Sequence, residues 1–183
     1  MRIISGYLKG KKLEFPKNKL TRPLKDIVKE SIFNILSHSK NINIDIKNAV
    51  ILDLFSGSGS FGLECISRGA KHVYFNENYS EALEVLQKNI QNLKCESHCT
   101  IINDNCYNLD KHYRKHVNIV FLDPPFKDEG VNKILNIIFE KKILNKDGII
   151  IIHRNKKISD NLPSKLNILE VRKYGLSKII FAN

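Results

Sequence analysis

The chain has 183 residues, 42% of them hydrophobic, and a formal net charge of +11. That length and apolar share suit one domain, with at most a small appendage, able to bury its own core. Its apolar runs stop well short of the roughly 18 residues of a membrane span, and MRIISGYLKGKK at the N-terminus lacks the apolar centre of a signal peptide, so a cytoplasmic protein is expected.

In chain order, Arg2 to Phe15 reads as strand, glycine-containing turn (Gly6 to Gly10) and strand, a small basic β-hairpin. Thr21-Arg22-Pro23 is expected to open a helix whose apolar stripe is Ile27, Val28, Ile32, Ile35 and Leu36. Arg2, Lys9, Lys11, Lys12, Lys17, Lys19, Arg22, Lys25 and Lys29 crowd this region against only Glu14, Asp26 and Glu30. Such clustering suggests a polyanionic partner, because lysine and arginine displace counterions from phosphates. The polar stretch from Ser37 to Lys47 reads as a linker, which separates residues 1–47 from 48–183.

From Ala49 onward, apolar runs alternate with helical patterns: AVILDLF, a helix near Gly59 to Arg68, HVYFNE, a helix near Ser80 to Asn92, TIIND and NIVFLD. This alternation calls for a parallel sheet covered on both faces. A helix near Val131 to Lys141, GIIIIH, a strand near Ile168 to Lys173 and SKIIFAN follow, and Tyr174-Gly175 between the last two suggests an antiparallel hairpin. The expected fold is a doubly wound α/β sheet with an irregular end.

Asp53-Leu-Phe55-Ser56-Gly57-Ser58-Gly59-Ser-Phe-Gly62 follows a strong strand and opens a helix. Glycines there let backbone approach a ligand closely. The spacing also fits a dinucleotide enzyme, and an NAD-dependent oxidoreductase is the rival reading. Asp53 argues against it, since a carboxylate just before the loop would repel a pyrophosphate but suits the aminoacyl end of S-adenosyl-L-methionine. Glu77 and Asp104 end the next two strands at the same sheet edge, where open α/β sheets bind ligands. Position assigns Glu77 to ribose hydroxyls and Asp104 to the adenine amine.

Asp123-Pro124-Pro125-Phe126 closes the following strand. Two prolines forbid further ladder pairing and hold a stiff turn with carbonyls lacking local partners. If the Asp123 carboxylate and the Pro124 carbonyl accept the hydrogens of a base amine, its lone pair turns toward a methyl donor, and Phe126 offers a face for stacking. No metal is expected. Cys95, His98 and Cys99 form no CxxC pair, and His112 and His116 flank Arg114 and Lys115 on a basic face.

DLFSGSGSFGLECISRGA together with DPPF, MRIISGYLKGKKLEFP, TRP followed by VKESIFNIL, and a terminal YGLSKIIF resembles the bacterial 16S rRNA guanine-N2 methyltransferases of the RsmD type over nearly the whole chain. The resemblance implies a seven-stranded Rossmann-like methyltransferase fold, S-adenosyl-L-methionine as methyl donor and a guanine N2 amine in 16S rRNA or the small ribosomal subunit as acceptor. It implies cofactor contacts at Phe55 to Gly59, Glu77 and Asp104, the target base at Asp123 to Phe126, and an rRNA-facing N-terminal part including Arg2, Lys9, Lys11, Lys12, Arg22 and Lys25. Phe126 stands where the family pattern leads one to expect tyrosine. A monomer is expected. Two other rivals are an enzyme with the same cofactor acting on DNA adenine or a protein amide, and a non-catalytic RNA-binding factor.

Overall fold

A computed structural model describes residues 1–16, 24–109, 116–159 and 161–183. The apolar runs form β1 (Val50–Leu54), β2 (His72–Asn76), β3 (Cys99–Ile102), β4 (Val117–Leu122), β5 (Leu144–Asn155), β6 (Ile168–Tyr174) and β7 (Ser177–Ala182). They make one seven-stranded sheet in the order β3-β2-β1-β4-β5-β7-β6. β1 to β5 pair in parallel, and β7 runs antiparallel between β5 and β6. The expected α/β sheet and its antiparallel C-terminal hairpin are both present.

Helices α1 (Asp26–His38), α2 (Ser60–Ser67), α3 (Ser80–Leu93) and α4 (Val131–Glu140) cover the sheet. In α3, Ala82, Leu83, Leu86, Ile90 and Leu93 bury one stripe, as the 3.6-residue period requires. β1 is buried along nearly its full length because strands lie on both sides of it and helices above and below. Among the described residues no helix is long and apolar enough to cross a membrane.

The expected N-terminal hairpin is present in short form: the Ile3 amide donates to the Lys11 carbonyl (2.9 Å) and the Leu13 amide to the Met1 carbonyl (3.0 Å) about an antiparallel Arg2–Lys12 bridge, while the Ile4 and Ser5 amides bind α2. Three other N-terminal expectations are corrected. Within α1 the buried face is Val28, Lys29, Ile32, Phe33 and Leu36, while Ile27 is 65% exposed, so the stripe sits one residue further on than its first member suggested. Lys29 is thus in the interior and not on the basic surface. Of the stretch from Ser37 to Lys47, Ser37 and His38 still belong to α1 and the rest lacks a regular element, yet Ile42 and Ile46 are pinned in the core. Lys17, Lys19 and the Thr21-Arg22-Pro23 segment lie outside the described residues, as do His112, Arg114 and Lys115.

What fastens the N-terminus is a buried polar clamp on α2. Glu64 accepts hydrogen bonds from the Ile4 and Ser5 amides (2.7 and 2.9 Å) and from Arg68 Nε (2.9 Å). Lys29 Nζ donates to the Arg2 carbonyl (2.8 Å) and the Ser60 hydroxyl (3.2 Å), and it lies 3.7 Å from Glu64, both side chains being wholly buried. Burial pulls the Lys29 ammonium below its ordinary pKa, against the opposing pull of Glu64. Further along, Ser67 Oγ accepts from the Leu8 amide (3.0 Å), and Asn89 of α3 accepts from the Glu14 amide (2.8 Å) and donates to its carbonyl (3.1 Å). Replacing Glu64 with Ala strands both amides and leaves the Lys29 charge unpaired. The expected loss is about 3–5 kcal/mol in urea unfolding followed by circular dichroism, and an unchanged midpoint would show that the clamp is not needed.

Candidate active site

The strand order reverses between β1 and β4, and ligands of open α/β sheets bind outside the carboxyl ends of strands at such a point. A cavity of about 460 Å³ opens there. Its walls include the β1 loop (Phe55, Ser56, Gly57, Ser58), Glu77 and Asn78 after β2, Asn105 to Tyr107 after β3, and Asp123 to Phe126 after β4. Phe15 and Leu24 from the clamped N-terminal region close another side.

The β1 loop turns sharply. Phe55, Gly57 and Gly59 have φ of 58°, 56° and 79°, a left-handed conformation that side chains beyond glycine rarely adopt. A Cβ on Gly62 would come within 2.3 Å of the Phe75 ring, so glycine there lets α2 lie close against β2. The rest of the loop is tied down by Ser56 Oγ, which donates to the Asp53 carbonyl at 2.6 Å, and by the Ser56 amide, which donates to the Asn76 carbonyl at 3.1 Å.

Glu77 accepts from the amides of Gly57 (2.7 Å), Asn78 and Tyr79 (both 2.9 Å), so backbone donors fix the position of its carboxyl group. Asp53 is buried and accepts from the Gly62 amide at 3.0 Å. Burial raises its pKa well above the ordinary carboxylate range; the Gly62 amide opposes this, and the charges of Asp123 and Glu77 add to it. Asp123, Asp53 and Glu77 thus line one cavity with no lysine or arginine among its described lining residues, an arrangement that favours a cation over a pyrophosphate. Asp104 lies beside the cavity and not on its wall, its Oδ1 accepting from the Asn105 amide (2.6 Å) and Asn108 Nδ2 (2.9 Å). Gly59 likewise sits behind the wall as the residue before α2. Asn76, next to Glu77, turns inward to Cys106 Sγ (2.6 Å) and is nearly inaccessible, whereas Asn78 lines the cavity.

After β4 the chain makes a tight turn in which the Asp128 amide donates to the Pro125 carbonyl at 2.8 Å. Arg154 of β5, 1% exposed, grips both ends of it, donating to the carbonyls of Pro125 (3.2 Å) and Asp128 (2.7 Å). Asp128 Oδ1 in turn accepts from the Tyr107 hydroxyl (2.6 Å) and the Gly130 amide (2.7 Å), bolting the loop after β3 to the loop after β4. Among the described residues the Pro124 carbonyl accepts no hydrogen bond. Asp123 Oδ1 lies 2.7 Å from His153 Nδ1, and His153 Nε2 lies 2.9 Å from Ser177 Oγ. Sequence reasoning missed His153, Arg154, Ser177, Tyr107 and Asp128. The one visible signal was His153-Arg154 continuing the apolar run of β5, polar residues where a buried strand should stay apolar.

An aromatic column leads from this floor to the N-terminal helix: Phe121 stacks on Phe61 (ring centroids 4.0 Å apart), Phe61 on Phe33 (5.3 Å), and the Arg68 guanidinium caps Phe33 at 4.2 Å. Of the basic residues, Arg2, Lys9, Lys11, Lys12 and Lys25 are exposed, Lys25 directly following the cavity-lining Leu24; Arg22 lies outside the described residues. Cys95 and Cys99 are free, with sulfurs 3.9 Å apart, and His98 Nδ1 is engaged with the Lys71 carbonyl.

The buried state of Asp53 has a measurable consequence. Its pKa is ordinary in the unfolded chain and higher in the folded one, so stability is lost as pH rises from the unfolded value through the folded value. Asn cannot ionise and escapes that loss. The stability difference between Asp53→Asn and the parent, from urea midpoints between about pH 3 and pH 8, should stay constant below the unfolded value and grow in favour of the variant above it. A difference independent of pH would contradict this placement of the charge.

Known proteins bear the same pattern. Ribosomal RNA small subunit methyltransferase D of Haemophilus influenzae is 33% identical over 179 residues, covering 96% of this chain and 90% of that protein. A Bacillus subtilis relative named as a candidate rRNA methyltransferase is 32% identical over 185 residues, covering 98% of this chain and 96% of the relative. The solved structure of a candidate methyltransferase from Escherichia coli superposes with a TM-score of 0.83 at 27% identity, covering 100% of this chain and 96% of that one. The family model described as Conserved hypothetical protein 95 matches residues 1–183. With the match running from end to end, this chain belongs to that family, the RsmD family, and has a methyltransferase fold.

Proposed function

We propose that the protein is an S-adenosyl-L-methionine-dependent methyltransferase that modifies the exocyclic N2 amine of a guanine in 16S rRNA, presented as RNA or within the small ribosomal subunit. The observation that carries this reading is the convergence of Asp123 and Pro124 with Glu77 and the Gly57 loop on a single cavity. Relatives named as methyltransferases of small-subunit rRNA support the substrate class. A cytoplasmic, monomeric enzyme accords with that substrate.

The residues present fit the cofactor. A cavity of about 460 Å³ falls within the usual range for small-molecule sites, and the surrounding carboxylates suit a sulfonium with an attached ammonium. Asp53 and the loop from Phe55 to Gly59 would hold the aminoacyl end, Glu77 the ribose hydroxyls, and Asp104 with its neighbours Asn105 and Cys106 the adenine. When bound, S-adenosyl-L-methionine supplies an activated methyl group, so the protein's task is positioning. An arylamine such as guanine N2 is a poor nucleophile because its lone pair is spread into the ring. Asp123 and the Pro124 carbonyl, by accepting its two hydrogens, turn that lone pair outward, and Phe126 provides a face for the splayed base.

Residues 1–47 would then serve RNA contact, through Arg2, Lys9, Lys11, Lys12, Arg22 and Lys25, and residues 48–183 the chemistry. The test is transfer of labelled methyl groups to small subunits from cells lacking the protein, with DNA and bulk protein as parallel acceptors. Asp123→Ala should lower transfer to the rRNA by at least about a hundredfold while S-adenosylhomocysteine still binds. Undiminished transfer would exclude the proposed role of Asp123. Replacing Lys11 and Lys12 by Ala should weaken RNA binding and flatten its salt dependence by roughly one unit of slope per lysine, leaving S-adenosylhomocysteine affinity unchanged. Equal loss of both affinities would contradict that division of labour.

A further inference from the structure

We propose that His153, oriented by Ser177, is a positioning residue that locks the Asp123 carboxylate as a hydrogen-bond acceptor facing the cavity. The proposal rests on the reading of Asp123 given above, and it adds a residue pair from the far side of the sheet to that site. Its basis is topological. β4 and β5 pair in parallel with Leu122 beside Ile152, which sets Asp123 next to His153. β5 and β7 pair antiparallel with His153 opposite Ile179, which brings Ser177 within reach of the imidazole's other nitrogen.

The proton positions follow from the partners. A carboxylate only accepts, so at 2.7 Å the Asp123 Oδ1 requires a hydrogen on His153 Nδ1. In the neutral ring Nε2 is then an acceptor, and the Ser177 hydroxyl, 2.9 Å away, donates to it. Asp123 thereby sets the tautomer, Ser177 anchors the far nitrogen and so fixes the ring's orientation, and His153 occupies one oxygen of Asp123, leaving the other for the amine. His153 and Ser177 are each only 6% exposed, so little water is at hand to replace either bond. The groups set against the imidazole are Asp123 just after β4, Ser177 on β7 and the Phe126 ring, edge-on with its centroid 6.1 Å away; the buried Asp53 is near enough to Asp123 to feel its charge. Without the imidazole donor, Asp123 would be an uncompensated acid beside two others and free to rotate its acceptor away.

The experiment compares His153→Leu, which removes the donor, with His153→Asn, whose amide nitrogen falls near the position of Nδ1. Labelled methyl transfer to small subunits from cells lacking the protein gives kcat and KM, and calorimetry gives S-adenosylhomocysteine affinity. Leu should lower kcat at least about tenfold with cofactor-site affinity within about twofold, and Asn should restore much of kcat. His153→Leu with unchanged kcat, in a protein whose Asp123→Ala variant is inactive, overturns the proposal while leaving the reading of Asp123 standing. Should Asp123→Ala itself stay active, both fall. A readout that needs no variant is the long-range ¹⁵N–¹H spectrum of the unliganded protein. His153 should show hydrogen on Nδ1, and a ring with hydrogen on Nε2 alone would overturn the proposal.

Discussion

Everything at this site depends on the containment of negative charge at the carboxyl ends of adjacent strands. A carboxylate withdrawn from water is costly unless donors replace the water. Each acid meets that requirement differently. Glu77 is held by backbone amides, Asp53 has a single amide and a raised pKa, and Asp123 relies on an imidazole. The three together leave the cavity short of positive charge, which is the condition for taking up a cationic ligand.

The same physics fastens the N-terminal region. Glu64 in α2 is an interior acid satisfied by the Ile4 and Ser5 amides, by Arg68 and by Lys29, and those partners draw the first residues down onto the helix. Residues that look like a basic appendage in the sequence thus share a core with the sheet, through Ile3, Leu8 and Leu13, and contribute Phe15 and Leu24 to the cavity. The Phe33–Phe61–Phe121 column extends the link from α1 to the floor of the site through continuous ring stacking.

Much of this was legible in the sequence because it rests on local patterns. Alternating apolar runs gave the parallel sheet, Tyr174-Gly175 the antiparallel hairpin, and the glycine loop and DPPF the cavity lining at Phe55 to Ser58 and Asp123 to Phe126. What stayed hidden depends on long-range pairing. Lys29 reads as one more surface lysine until Glu64, 35 positions later, is brought against it (64 − 29). His153 and Ser177 acquire meaning only through the registers of β5 with β4 and β7, and Asp104 falls short of the wall because β3 ends at Ile102 and the chain has already turned. The hairpin between Arg2 and Phe15 was legible too, but its docking was not: the Ile4, Ser5, Leu8 and Glu14 amides find side chains of α2 and α3 far along the chain.

Placing an acceptor pair for an amine beside a cation-attracting cavity makes a specific chemical claim, and its most direct test lies in the RNA itself. Nucleoside mass spectrometry of fragments of 16S rRNA from cells with and without this protein reads it out. A single N2-methylguanosine present in the first and absent in the second is the expected result, restored by the parent gene and not by an Asp123→Ala copy. Identical methylated guanosines in both RNAs would contradict it.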